Sequence, residues 1–334
     1  MNQIGRIKLA LSMIALLAMS SCIKEDPDDC KIRVSFDYSY NILSSNALEN
    51  QVDQLMLYVF DGNGMLVSIH SRQGGAISNA LTVEMNKPEA SGRYRFVAWG
   101  KSNTLTGDEA NFVIPDLTVG VSRLEDLNYY LKRELNFSQY ELNNFLVGAA
   151  EADVQNTPGT DQVKISLKKV NKKIRVVLLP YLGNTELDVN DYLFSITDPI
   201  GSGHIKYDYS MLADEPTTYL PYYKSNIHPS SNAAVPSSEV DKAVAVEFST
   251  SRLIETNVPR LHIITADGSK ELVNINLPWL FSLTEMESHR IWSLQEYLDR
   301  QDEYVITLFF DNDKWMDVTI IINGWVVNNV NINP

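Results

Sequence analysis

Three observations predict a mainly β chain, two tandem β-sandwich domains with one or two short helices. Apolar residues recur at every second position in many short segments, the period of a half-buried strand. Turn signals rich in Gly, Asn and Asp separate those segments, because these residues accept the backbone angles a tight turn needs. Only two stretches keep helical spacing. Many short strands with few helices build sandwiches rather than βαβ units, and no internal repeat suggests a solenoid or propeller.

The elements follow in order. Residues 1–21 read as an export signal. Arg6 and Lys8 form a basic start, and Leu9 to Met19 form an apolar run shorter than the roughly 20 residues a membrane span needs. Ser20 and Ser21 precede Cys22, the small-residue setting of lipoprotein cleavage. Cleavage there leaves Cys22 to carry acyl chains, and two or more chains anchor a protein stably. An ordinary secretory signal with an incidental Cys22 is the other reading. Residues 22–31 form a tethered linker, and Lys24-Glu25-Asp26 within it resembles the lysine-plus-acids signal that sends Bacteroidetes lipoproteins to the outer face of the outer membrane.

Ile32, Val34, Phe36, Tyr38 and Tyr40 alternate with polar residues and predict the first strand. Leu55 to Phe60, Asp61-Gly62-Asn63-Gly64 and Met65 to Val67 predict a hairpin. Tyr94 to Gly100 and Phe145 to Ala149 predict further strands. Leu124, Leu127, Leu131 and Leu135 keep helical spacing, with Ser122 and Glu125 as a capping box. The polar stretch 151–161 marks a boundary, giving an N-terminal domain over 32–155 and a C-terminal domain over 160–334. In the latter, strands are expected at 163–167, 174–179, 243–248, 261–265, 305–310 and 318–322. A short helix is expected from Ser293, a long loop over 225–242, and a hairpin turn at Asp311-Asn312-Asp313-Lys314.

Composition narrows the function. Of 334 residues, removal of 21 leaves 313, enough for two cores. The lost segment carries Arg6 and Lys8 and no acid, so a formal charge of −14 becomes −16. Nucleic acid is not an expected partner, since phosphate binding needs clustered Lys and Arg. With Cys22 lipidated, Cys30 has no intramolecular partner; without lipidation a Cys22–Cys30 loop is open.

Chemistry-bearing patterns are weak. His70, His204, His228, His262 and His289 show no metal-ligand spacing, and no P-loop, Gly-rich dinucleotide motif or nucleophile elbow occurs. Asp311-Asn312-Asp313 begins like a calcium loop but lacks the required Gly and Glu, with Met316 and Ile322 in their places. Asp61-Gly62-Asn63-Gly64 fails in the same way. Gly201-Ser202-Gly203-His204 reads as a turn. Trp99, Trp279, Trp292, Trp315 and Trp325 offer either sandwich-core packing or a sugar platform. No catalytic residue, cofactor, metal or small-molecule substrate is expected.

The lipidation motif, a Cys eight residues on, Val52 to Asp61 with its Gly-rich hairpin, Tyr94-Arg95-Phe96-Val97-Ala98-Trp99-Gly100 and Ile321-Ile322-Asn323-Gly324-Trp325 together resemble the FimB-type fimbrial anchor family of Bacteroidetes lipoproteins. The resemblance implies two transthyretin-like sandwiches and a part in type V pilus assembly. In that system an Arg- or Lys-specific protease removes the first strand of shaft and tip subunits, and a neighbour's strand fills the groove. This chain has no Lys or Arg from Val34 to Ser71, so such a protease cannot excise its first strand alone. An anchor joined to the outer membrane by its lipid and to a fimbrial shaft subunit by strand addition is the expectation. Trp325, Val326, Val330 and Ile332 are the candidate donor strand; the same segment also reads as the last strand of the second sandwich. A surface glycan-binding lipoprotein of a polysaccharide-uptake system and a tip adhesin of the same fold are the alternatives.

Overall fold

The computed structural model describes residues 30–73, 82–102, 112–180, 187–227, 243–284, 291–311, 314–322 and 325–330. The first half contains β1 (Cys30–Asp37), β2 (Gln54–Phe60), β3 (Leu66–Gln73), β4 (Thr82–Asn86), β5 (Gly92–Lys101), β6 (Phe112–Val113), β7 (Asn128–Leu131), β8 (Phe137–Ser138), β9 (Phe145–Val154), β10 (Gly159–Ser166) and β11 (Lys168–Lys169). The second contains β12 (Lys172–Pro180), β13 (Tyr192–Asp198), β14 (His204–Lys206), β15 (Thr217–Tyr219), β16 (Tyr223–Ile227), β17 (Ala243–Thr250), β18 (Arg260–Thr265), β19 (Glu271–Asn276), β20 (Glu303–Asp311), β21 (Lys314–Ile322) and β22 (Trp325–Val330). Two short helices, α1 (Leu277–Ser282) and α2 (Leu294–Arg300), are the α-helices among the described residues.

In the first sandwich a three-stranded sheet, β10-β1-β4, faces a five-stranded sheet, β11-β9-β5-β2-β3. Ile32, Val34 and Phe36 of one sheet meet Leu55, Leu57 and Phe96 of the other in one core. The second sandwich sets the six-stranded β16-β17-β12-β20-β21-β22 against β19-β18-β13-β15-β8. Its core includes Val176, Leu178, Phe194, Ile196, Leu261 and Ile306, and it continues onto Tyr58, Trp99 and Phe145 of the first half. The alternate residues of β2 and β5 thus serve two cores.

The halves interlock more than the sequence suggests. Pro158-Gly159, in the polar stretch 151–161 expected to mark a boundary, turns the chain from one sheet of the first sandwich to the other. β10 runs parallel to β1, and β11 pairs with β9, so residues 159–169 belong to the first sandwich by their pairing. β8 joins β15, and β14 joins β7, each pair crossing between the halves.

The hairpin after β2 forms as read. The Asp61 carboxylate accepts from the amides of Asn63 at 2.9 Å and Met65 at 2.8 Å, and Gly64 takes a φ of +78°. The helix expected over Leu124 to Leu135 does not form. Leu124–Asp126 is a single 3-10 turn, whose period places Leu124 and Leu127 on one buried face. The chain then becomes β7, where Tyr129 and Leu131 alternate inward. Ser122 Oγ accepts from Thr118 N, and Asp126 rather than Glu125 caps the turn through Arg123 N. Leu135 ends in a turn with φ +52° and is 89% exposed. The helix expected from Ser293 does form: Ser293 Oγ accepts from Glu296 N at 3.2 Å to start α2. Tyr223–Ile227 is a strand where the loop over 225–242 was expected to begin. The rest of that loop and the turn residues Asn312 and Asp313 lie outside the described residues.

At Gly148 in β9 the two sheets come close together. A Cβ there would lie 2.5 Å from the Ser166 carbonyl oxygen of the facing strand. Gly148→Ala is expected to destabilise the protein by about 1–3 kcal/mol through forced separation of backbones. A thermal midpoint equal to wild type would refute this close packing.

Candidate assembly interface

The first strand sits in the middle of its sheet. β1 pairs parallel with β10, Val34 opposite Val163 and Phe36 opposite Ile165, and antiparallel with β4, Ile32 opposite Met85. Its inward residues are sealed: Ile32 and Val34 are 0% exposed and Phe36 is 2% exposed. Its outward residues bind the neighbouring strand. Lys31 Nζ donates to Asn86 Oδ1 at 2.8 Å, and Arg33 Nε donates to Glu84 Oε1 at 2.8 Å. Both edges of the strand and one of its faces are therefore occupied by the chain's own residues.

The C-terminal end of β1 is fastened by charge. Burial raises the Asp37 carboxyl, but Lys164 and the Ser39 amide and hydroxyl outweigh it, leaving Asp37 below the ordinary carboxylate range. Asp37 Oδ1 also accepts from Ser166 Oγ at 3.2 Å. One and three residues further, the rings of Tyr38 and Tyr40 reach the second half. Tyr38 OH donates to Asp302 Oδ2, and Tyr40 lies under the Arg300 guanidinium, 4.2 Å from the ring centroid. Burial first, then the Asp302 charge, drives the Tyr38 hydroxyl far above its ordinary value, and burial with Asp299 pushes Tyr40 up to about 12.

Asp302 stands at the centre of a buried charge cluster. Lys172, 0% exposed, places Nζ 3.4 Å from Asp302 Oδ1 and 2.7 Å from the Asp299 carbonyl. Lys169 Nζ lies 3.9 Å from Asp302 Oδ2. Burial lowers the affinity of both lysines for their protons, against the pull of Asp302. Arg252 clasps Asp299 with Nε at 2.7 Å and a terminal nitrogen at 2.6 Å. No sequence motif indicated this cluster.

At the opposite margin, β22 is the outer strand of the six-stranded sheet. Trp325 pairs with Ile322, Val326 with Ile321, Val327 with Ile320 and Val330 with Val318. Among the described residues no strand pairs with its other side. Ile332 of the candidate donor segment, and Cys22, Lys24, Glu25 and Asp26 at the other end, lie outside the described residues.

Other candidate chemistry is dispersed. Among the described residues no group of three His, Cys, Asp or Glu could hold a metal ion. His262 bridges Thr197 at 3.0 Å and Glu271 at 2.6 Å across an exposed sheet face, and His204 stacks on Tyr130. His228 and His289 lie outside the described residues. Trp99 is buried and donates to Tyr58 OH at 3.2 Å. Trp279 is part-exposed on α1, and Trp292 packs beneath Arg300, so these three tryptophans occupy different settings. No helix among the described residues is long and apolar enough to cross a membrane.

The family match and the adhesin-like neighbours of these stacked sandwiches support a fimbrial, adhesin-type surface protein. The chain belongs to the family of fimbrillin-A associated anchor proteins Mfa1 and Mfa2, whose profile matches residues 27–331, in agreement with the resemblance read from the sequence. A Bacteroides thetaiotaomicron protein described as a candidate polysaccharide-binding protein is 30% identical, with a TM-score of 0.72 over 91% of this chain and 98% of that one. A candidate adhesin of the same organism is 26% identical, with a TM-score of 0.73 over 90% and 97%. The fimbrial anchor protein Mfa2 of Porphyromonas gingivalis shares the fold at 16% identity, with a TM-score of 0.63 over 90% and 99%. Comparison with curated proteins found no match.

Proposed function

We propose that this chain is the anchor subunit of a fimbrium, tethered to the outer membrane by acyl chains on Cys22 and exposed at the cell surface. Lys24-Glu25-Asp26 directs it outward. A shaft subunit joins it by strand addition at the C-terminal strand, with Trp325, Val326, Val330 and Ile332 as contact positions. The role is structural, and its partners are the membrane and the shaft protein.

The observation that carries this reading is the seat of β1. A subunit that polymerises by losing its first strand needs a groove there, and here the groove holds the chain's own Ile32, Val34 and Phe36. The stretch from Val34 to Ser71 offers no Lys or Arg at which to cut. The same observation favours an anchor over a tip adhesin, which would have to lose that strand.

Intact-mass and N-terminal analysis of protein taken from the cell surface tests it. The expected product is acylated and begins at Cys22, and Cys22→Ser is expected to move the protein from the membrane fraction to the soluble one. An unacylated product beginning beyond residue 40 would overturn the reading. Removal of residues 325–334 is expected to leave a folded monomer that no longer captures shaft protein in pull-down. Undiminished capture would remove the C-terminal strand from the joint.

A further inference from the structure

The first strand ends in residues that belong to both halves of the molecule. Asp37 is held by Lys164 and Ser166 of β10. Tyr38, 1% exposed, donates its amide to Asn46 Oδ1 at 2.9 Å and its hydroxyl to Asp302 of the second half. The Tyr40 ring lies between Lys168 Nζ at 4.6 Å and Arg300 Cζ at 4.2 Å. Arg300 rests in turn on Trp292, 4.5 Å from its centroid. We propose that the first strand is also a pin of the junction: through Tyr38 and Tyr40 it adds to the shared core that joins the two sandwiches, so it cannot be exchanged for another subunit's strand.

The chemistry of the seat supports this. Alternating apolar residues alone would fill the core side, as many strands could. The end of the seat demands more: an acid for Lys164, a phenol to donate to Asp302, and an aromatic face for two cations. The chain's own C-terminal segment, Trp325 to Pro334, has no acid and no tyrosine. A second copy therefore cannot satisfy the seat with that strand. Leaving Asp302 without the Tyr38 donor would strip a hydrogen bond to a charged group in a half-dry site, the stronger kind of hydrogen bond. The proposal deepens the anchor reading but rests on it only for its consequence in assembly.

The test uses the mature chain with a protease site placed in the 41–47 loop, next to the exposed Leu43. After cutting, the protein is incubated with an excess of labelled peptide corresponding to residues 30–44, or to residues 325–334. The cut wild type is expected to keep its own strand and take up neither peptide. Tyr38→Phe with Tyr40→Leu is expected to exchange the first peptide about tenfold to a hundredfold faster, the kinetic equivalent of one charged hydrogen bond. Arg300→Leu leaves the strand's sequence intact and is expected to speed exchange in the same direction. In calorimetry of the uncut proteins, the double variant is expected to unfold at a lower midpoint than the wild type. Exchange in the cut wild type as fast as in the variants, or variants no faster than wild type, would overturn the proposal. Acylation at Cys22 is read out separately, so failure of the tether leaves this result standing.

Discussion

Asp302→Ala is expected to cost about 3–5 kcal/mol, the loss that follows when one partner of a buried ion pair is removed. Three groups depend on this carboxylate: Lys172 at 3.4 Å, Lys169 at 3.9 Å and the Tyr38 hydroxyl. Without it, Lys172 keeps only the Asp299 carbonyl, and Lys169 keeps the Gln51 side chain at 3.1 Å, among the contacts seen for them here. Two buried ammonium groups would then lose their shared counter-charge and keep only the weaker pull of Asp299 on Lys172 and Glu303 on Lys169. Lys172→Met should cost much less, because it removes a buried charge while Asp302 retains Lys169 and Tyr38. Denaturant midpoints of both variants check the order. If Lys172→Met is the more damaging, the cluster is held by packing of the lysine stem and not by charge.

The predicted strands were legible where their alternate residues face a core. Ile32, Val34 and Phe36 alternate in the sequence because they alternate between core and surface in the sheet. The Leu124 to Leu135 stretch misled because a 3-10 turn and a strand, laid end to end, bring leucines three and four residues apart. Tyr129 and Tyr130, which favour strands, were the signal against a helix there. The β8 and β14 crossings between the halves involve two or three residues each, too few to show a period. The charge cluster was invisible for another reason. Lys168, Lys169, Lys172 and Lys173 look like a solvated face, as most such runs are. Only folding brings Asp302, 130 residues along the chain from Lys172, against them. The first strand divides similarly: the absence of Lys and Arg from Val34 to Ser71 is plain in the sequence, whereas the contacts of Tyr38 and Tyr40 with the second half depend on tertiary neighbours.

Alkaline pH is expected to unfold the protein cooperatively, starting just above pH 10. Burial raises the hydroxyl pKa of Tyr38, Tyr129, Tyr209, Tyr219, Tyr222 and Tyr304 in the folded chain. Unfolded, each would ionise near its ordinary value of about 10. A raised folded pKa means the unfolded chain releases its proton first. The stabilisation is therefore full below about pH 10 and is lost as pH rises beyond it. Each such tyrosine gives up about 1.4 kcal/mol per pH unit, so six withdraw about 8 kcal/mol over one unit, comparable to the whole stability of an ordinary domain. The buried lysines Lys169 and Lys172 and the half-buried Lys168 act in the opposite sense, since burial lowers their pKa. Their unfolded forms hold protons longer, so stability gains as pH climbs from their folded pKa towards about 10.4, and this gain stops where the tyrosine loss takes over. A shallow rise followed by a steep fall is the expected profile. Tyrosinate absorbance should appear in step with loss of circular dichroism, and Tyr129→Phe, which removes a buried hydroxyl with no hydrogen-bond partner among the described residues, should shift the fall to higher pH. Tyrosinate formation that runs to completion while the β-sheet signal persists would show that these hydroxyls are open to water, against the sealed cores described above.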